Sequence, residues 1–182
     1  MIETQILQHE VSLTEYVPAC VEVEKFVKFC EECPSYEKNW ACPPFNFSPQ
    51  EIWQKHDSLL LYGKKIFLGA ELTGKQYESD ELIALVKELL LPIKQEITEE
   101  LLAMEERFPG SMALFAGKCE GCENCVRQEG QACLRPEYMR HSLESLGGDV
   151  GKTLELYFGE SLIWAAAGRL PEKFLLIGGL LK

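Results

Sequence analysis

Four closely spaced cysteines constrain this chain more than any other feature of its sequence. They form the pattern C-x2-C-x2-C-x7-C and are, in chain order, Cys119, Cys122, Cys125 and Cys133. A buried core needs no such period, whereas a metal centre does, because several thiolates must reach one point from a short, tightly turned backbone. The bacterial ferredoxin run is the closest known pattern, and here Pro136 follows the last cysteine by three residues. The spacing therefore favours a [4Fe–4S] cluster.

Zinc is the main alternative, and disulfide-bonded or metal-free thiols are a third. Structural zinc sites need four ligands in a tetrahedron and usually take them as two separate pairs. The third cysteine on the same period therefore favours the cluster over zinc. Gly117, Gly121 and Gly130 supply positions of positive φ at which the backbone can wrap around a metal.

A second cysteine group lies earlier in the chain. Cys30, Cys33 and Cys42 form C-x2-C-x8-C and are followed by Pro43 and Pro44. Three thiols would leave one metal position open for a non-cysteine side chain, a substrate, water or Cys20. An open metal ion can act on a substrate as a Lewis acid. Cys20 itself falls on the apolar face of a predicted helix, so we predict that it belongs to the core.

An enzyme built on that open position would need a pocket between the two cysteine groups. The candidates to line it are Tyr36, Trp40, Arg140 and Asp149. His141 lies eight residues after Cys133 and could reach the same site, although a hydrogen-bonded structural histidine is the simpler interpretation. No nucleotide-binding, serine-hydrolase or radical-SAM pattern accompanies the cysteines.

Length and composition indicate one domain spanning residues 1–182, with metal-binding segments at 30–44 and 117–136. An apolar content of 46% is sufficient for an ordinary core. The net charge of −11, without a basic cluster, argues against nucleic-acid and membrane partners. Because residues 1–11 lack the features of a signal peptide, we expect a cytoplasmic protein with reduced thiols.

Hydrophobic periodicity predicts an α+β fold, in which a small sheet and helices form a sandwich. The predicted helices cover residues 13–30, 49–56, 80–107, 136–146 and 149–159, the third being kinked or divided at Pro92. The predicted strands cover residues 59–61, 66–72, 112–116 and 174–177. The first two could also be one bent strand.

Two segments of the chain match a known pair of signatures. Residues 30–44 fit C-x2-C-P-x-Y-x5-C-P-P, and residues 116–125 fit A-G-x-C-x2-C-x2-C. Cys133 and Pro136 fit C-x2-P, and residues 140–150 fit R-P-S-x-E-x-x-G-I-D-V except at His141 and Gly148. Over residues 12–180 the chain thus resembles the DUF2284 family of predicted metal-binding proteins.

The resemblance implies that the seven cysteines of the two groups act together in metal binding, and it leaves the number of centres open. The family occurs mostly in anaerobic bacteria and archaea, where oxygen-sensitive clusters are plausible. We therefore expect a small iron–sulfur protein with one or two [4Fe–4S] clusters that transfers electrons to a redox partner protein. The alternatives are a zinc-stabilised binding module without redox activity and an enzyme with an open metal site near Cys42. The oligomeric state is not predicted.

Overall fold

A four-stranded antiparallel sheet organises the fold. The computed structural model describes residues 2–182, so that Met1 of the predicted domain lies outside the described residues. The helices and strands in chain order are β1 (Ile2–Ser12), α1 (Leu13–Cys20), α2 (Val23–Glu31), α3 (Pro49–Gln54), β2 (Ser58–Leu68), α4 (Ala70–Thr73), α5 (Ser79–Arg107), β3 (Met112–Leu114), α6 (Val150–Phe158) and β4 (Lys173–Leu181). The strand order is β1-β2-β4-β3, and all neighbours are antiparallel. The predicted α+β class is confirmed.

Strands β2 and β4 are central and are buried on both faces. Leu59 and Leu61 of β2 pack into one apolar cluster, whereas Tyr62 and Ile66 pack into a second cluster on the opposite face. This separation follows from the two-residue period of a strand, which points successive side chains to opposite faces. The sheet therefore has a hydrophobic core on each side.

Helices cover both cores and complete the sandwich. Helices α1, α3 and α6 contribute Tyr16, Trp53 and Leu154 to the first cluster. The long helix α5 contributes Ile97 and Leu101 to the second. Helix α5 runs without interruption through the exposed Pro92, because its apolar side chains pack against the sheet on both sides of that residue.

Close approach of neighbouring strands explains why β2 is one strand, the second of the two predicted alternatives, and why β4 extends beyond its predicted end. Strand β2 is a single strand through Gly63, where an added Cβ would lie 2.0 Å from the backbone oxygen of Leu176. Strand β4 continues through Gly178 and Gly179, where a Cβ would meet Leu114 O at 2.3 Å and Leu59 Cδ1 at 2.8 Å. These glycines allow the sheet to pack closely.

Strand β1 was not predicted, because its outward side chains are mainly polar and only Leu7 and Val11 are buried. Since the sheet order leaves β1 at an edge, one buried face is enough to fix it.

Two predicted helices were wrong in extent. The helix over 13–30 is divided, because Val21 forms a β-bridge with Gly148 and separates α1 from α2. In place of a helix over 136–146 there is only the 3-10 turn Glu144–Leu146. Ser142 and Ser145 each accept a hydrogen bond from the other's backbone N–H, which competes with helical pairing.

The predicted cap of the last helix is confirmed. The side chain of Asp149 accepts a hydrogen bond from Lys152 N–H at 2.9 Å, and Gly159 ends α6 with a φ of +64°. None of the helices within residues 2–182 is long and apolar enough to cross a membrane.

Candidate metal centre

Both cysteine groups lie in connections between regular elements. Cysteine segment 1 (residues 30–44) starts in the last turn of α2 and runs toward α3. Cysteine segment 2 (residues 117–136) follows β3 and contains only the 3-10 turn Val126–Glu129 as regular helix. The elements on either side belong to the sandwich, so the scaffold fixes where each segment begins and ends.

Consecutive tight turns fold segment 1. Cys33 N–H donates to Cys30 O, Tyr36 N–H donates to Cys33 O, and each of these hydrogen bonds is 3.0 Å long. A third turn is closed by a hydrogen bond of the same length, in which Cys42 N–H donates to Asn39 O. These turns give all three cysteines of the group a hydrogen-bonded backbone.

Glycines shape segment 2 in two different ways. Gly117 and Gly130 have φ values of +91° and +70°, so the predicted need for positive φ is confirmed at these two positions. Gly121 does not adopt positive φ. It leaves room for Tyr138, whose Cδ1 would lie only 2.7 Å from a Cβ at this position. The Gly121 N–H donates to Cys119 Sγ at 3.4 Å, a contact that stabilises a thiolate sulfur.

Partial burial and neighbouring thiols affect the ionisation of two cysteines. Burial raises the pKa of the Cys119 thiol, and the nearby thiols of Cys133, Cys122 and Cys125 raise it further. In segment 1, burial followed by the proximity of Cys33 and Cys30 raises the pKa of Cys42 to about 12. Cys119 and Cys42 are only partly buried, and each thiol is affected by the other thiols of its own group. A metal cation would oppose these effects, because it stabilises the thiolate form.

The side chains of the two cysteine groups do not converge as the ligands of one metal ion would. No three His, Cys, Asp or Glu side chains within residues 2–182 are arranged so that they could hold one metal ion. All eight cysteines are free thiols rather than disulfides. The donors thus fit a thiolate-bound metal in chemical type, but their sulfur atoms do not form a coordination shell. Ligation by the seven cysteines stays a prediction.

Direct contacts hold the two segments against each other. Asn39 Nδ2 donates to Cys119 O at 2.9 Å, and Trp40 Nε1 donates to Gln131 O at 3.1 Å. The guanidinium of Arg127 donates to three carbonyl oxygens of segment 1, those of Asn39 (2.8 Å), Cys42 and Pro44 (2.6 Å). Its Cζ also lies 5.1 Å from the centre of the Trp40 ring. No sequence pattern predicts this clamp, because its acceptors are backbone atoms.

A small polar cavity of about 170 Å³ lies where the segments meet. Asn39 and Lys38 line it from segment 1, and Lys118 lines it from segment 2 together with Cys119, Cys122 and Cys125. Three of the four thiols in the predicted cluster motif therefore face one shared cavity.

Comparison with known protein families finds a family model that matches this chain. The DUF2284 family model, described as a predicted metal-binding protein, matches residues 18–180, which is nearly the whole chain. This chain belongs to the DUF2284 family. The resemblance carried by its two motifs is thereby confirmed, and so is the general assignment to metal-binding proteins. No significant match is found among curated proteins, and none among solved structures.

The residues considered for an enzymatic pocket are dispersed in this DUF2284 fold. Arg140 forms an ion pair with Glu105 at 2.6 Å, and Asp149 caps α6. Neither they nor Tyr36 and Trp40 line the cavity between the segments. The structure therefore gives these four residues no common site.

His141 and Cys20 have structural surroundings in this DUF2284 protein. His141 is buried, its Nδ1 lies 3.1 Å from Ala41 O, and its ring packs against Phe45 and Phe47. Burial lowers the pKa of His141 and so favours its neutral form. Cys20 is 1% exposed within the first apolar cluster, as predicted for a core residue.

Proposed function

We propose that this DUF2284 protein binds a [4Fe–4S] cluster and transfers electrons in a cytoplasmic, anaerobic redox system. The proposed ligands are Cys119, Cys122, Cys125 and Cys133. The observation that carries the proposal is that Cys119, Cys122 and Cys125 line one cavity, where the Gly121 N–H donates to Cys119 Sγ. Backbone N–H groups that donate to ligand sulfurs are one means by which proteins tune iron–sulfur clusters. The three-residue period of the first three cysteines favours a cluster over zinc.

We propose that Cys30, Cys33 and Cys42 form a second, incomplete thiol site next to the first. The bond from Asn39 to Cys119 O and the three bonds from Arg127 support this, because they hold the two segments in contact. A cluster or metal ion with only three thiolates would keep one position for another ligand. The chain would then carry either one centre or two adjacent centres.

Charge supports a low reduction potential and a protein partner. Thiolate ligands and a net charge of −11 both resist the addition of an electron to the cluster. The same charge repels nucleic acids and anionic membranes, so a redox protein is the proposed partner.

Metal analysis of protein purified without oxygen tests the proposal. Exclusion of oxygen is necessary because air oxidises thiols and can destroy the site. We expect iron and acid-labile sulfide, a brown colour, and an EPR signal after reduction. Cys122→Ala should remove most of the iron and sulfide, whereas the matched core variant Cys20→Ala should retain both.

Two results would count against the proposal. A protein without iron or labile sulfide, even after anaerobic reconstitution, would overturn it. A colourless protein that contains stoichiometric zinc and unfolds on chelation would instead establish the zinc-stabilised module. The iron content of the Cys42→Ala variant decides the number of centres, because loss of only part of the iron would indicate a second centre.

A further inference from the structure

A second and much larger cavity borders cysteine segment 2, whose Gly117 lines it. It has a volume of about 630 Å³ and extends between α5, β4 and the loop over residues 161–165. Its apolar wall includes Val86 and Leu90 from α5, Ile163 and Trp164 from the loop, and Leu176 from β4. The volume and the apolar lining are those of a small-molecule site.

Apolar side chains at this cavity are unusually exposed. Trp164 is 73% exposed and Ile83 is 69% exposed, although both are among the largest apolar side chains of the protein. A ligand in the cavity would cover apolar surface that now faces water, and this burial is favourable.

One end of the cavity is polar and carries an unpaired cation. Lys94 lines this end, and its Nζ lies 3.4 Å from the position that a Cβ on Gly117 would occupy. Within residues 2–182, Lys94 has no ion-pair partner closer than 4.0 Å. Asp149 lines the same end, but its carboxylate already caps α6. The ammonium of Lys94 acts on the Glu144 carboxyl group through its charge but forms no ion pair within 4.0 Å in the described part of the chain, so it can pair with a ligand.

Glu144 supplies a second polar group near Lys94, whose charge acts on the Glu144 carboxyl group. Its Oε2 atom is buried and has no hydrogen-bond partner in the protein. A buried polar atom without a partner is costly, so a ligand that supplies one gains affinity. Burial raises the pKa of Glu144, which favours the protonated carboxyl group and allows it to donate a hydrogen bond.

We propose that this cavity binds a small carboxylic acid with an apolar body, such as a medium-chain fatty acid or an arylalkanoic acid. The ligand carboxylate pairs with Lys94 and shares a hydrogen bond with Glu144. The apolar body packs against Leu90 and Trp164. An alcohol of the same length would leave Lys94 unpaired, and an amine would bring a second cation to it. None of the eight cysteines lines this cavity, and the proposed binding does not depend on the identity of the metal.

Calorimetric titration of the metal-loaded protein tests this inference. The probes are octanoate and 3-phenylpropanoate, with octan-1-ol and octylamine of matched length as controls. We expect saturable binding of both carboxylates. Lys94→Met should weaken octanoate binding about tenfold or more, because it removes a charge-assisted contact, and should leave octan-1-ol binding unchanged.

Further variants separate the ion pair from general damage. Lys94→Arg should keep most of the affinity for octanoate, because it retains the positive charge. Lys87→Met changes an exposed lysine of the same helix that does not line the cavity, and it should bind octanoate as the wild type does. The inference is overturned if the wild type shows no saturable binding of either acid at millimolar concentration. It is also overturned if Lys94→Met binds octanoate unchanged, or if octylamine binds as tightly as octanoate.

Discussion

The Arg127 clamp leads to a prediction about the reactivity of a thiol in the other cysteine segment. Arg127→Met removes the three hydrogen bonds to the carbonyl oxygens of segment 1 but keeps a side chain of similar length. Hydrogen bonds of this kind contribute about 0.5–1.5 kcal/mol each, so together they stabilise the closed segment by about 2–3 kcal/mol. Local opening should therefore become about 30- to 150-fold more frequent in the variant.

Cys42 reports this opening through its ionisation. In the closed segment its pKa of about 12 leaves about one thiol in ten thousand ionised at pH 8. In an opened segment an ordinary thiol pKa of about 8.5 would ionise about one in four. Because the thiolate is the reactive form, labelling of Cys42 should follow the opened population.

The assay is alkylation of metal-free protein at pH 8, with each cysteine followed by mass spectrometry. Arg127→Met should label Cys42 at least tenfold faster than wild type, while labelling of the core residue Cys20 should not change. Arg135→Met is the matched control, because the Arg135 guanidinium donates to Gly121 O within its own segment. The positive charge of Arg127 lowers the pKa of Cys42, so loss of charge alone would slow labelling. Slower or unchanged labelling would refute the clamp.

Three further predictions concern the scaffold. Gly63→Ala should lower the free energy of unfolding by at least about 2 kcal/mol in urea denaturation, because its Cβ would collide with the β4 backbone. Gly110→Ala, which has a φ of +88° and open space around it, should cost only about 1 kcal/mol, and equal losses would contradict this reasoning. Cys20→Ala should cost about 1 kcal/mol and leave the metal content unchanged, so loss of metal would show that Cys20 is a ligand. Lys173 and Lys65 lower the pKa of Glu160 below its ordinary 4.5, so the ion pairs stabilise the folded protein above pH 4.5 and stop doing so as the pH falls through the pKa of the folded state. Glu160→Gln should therefore weaken the fall in the free energy of unfolding between about pH 5 and pH 3. An unchanged pH profile would argue against the ion pairs.

The sequence predicts the elements whose own residues determine them. The apolar period of α5 and the Asp149 cap of α6 are local signals, and both correspond to observed elements. The edge strand β1 and the glycine-containing end of β4 have weak local sequence patterns. Both strands form because they pair with β2. Tertiary pairing of this kind is not visible in a single sequence.

The candidate site is likewise predictable only in part from the sequence. Cysteine spacing predicts which thiols belong together, and Cys119, Cys122 and Cys125 line one cavity. It does not predict that Arg127 and Asn39 join the two groups, since each side chain bonds to backbone atoms more than 75 residues away. The apolar cavity is equally hidden in the sequence, because its walls come from α5, β4 and a loop that are far apart in the chain.

The position of β4 has a consequence for the order in which the protein can assemble. This strand separates β2 from β3 in the sheet, yet it follows every other helix and strand in the sequence. During synthesis all eight thiols leave the ribosome before β3 can join the sheet. Nascent chains therefore expose an unsupported set of cysteines, and cellular reductants or a metal-delivery protein would meet them in that open state.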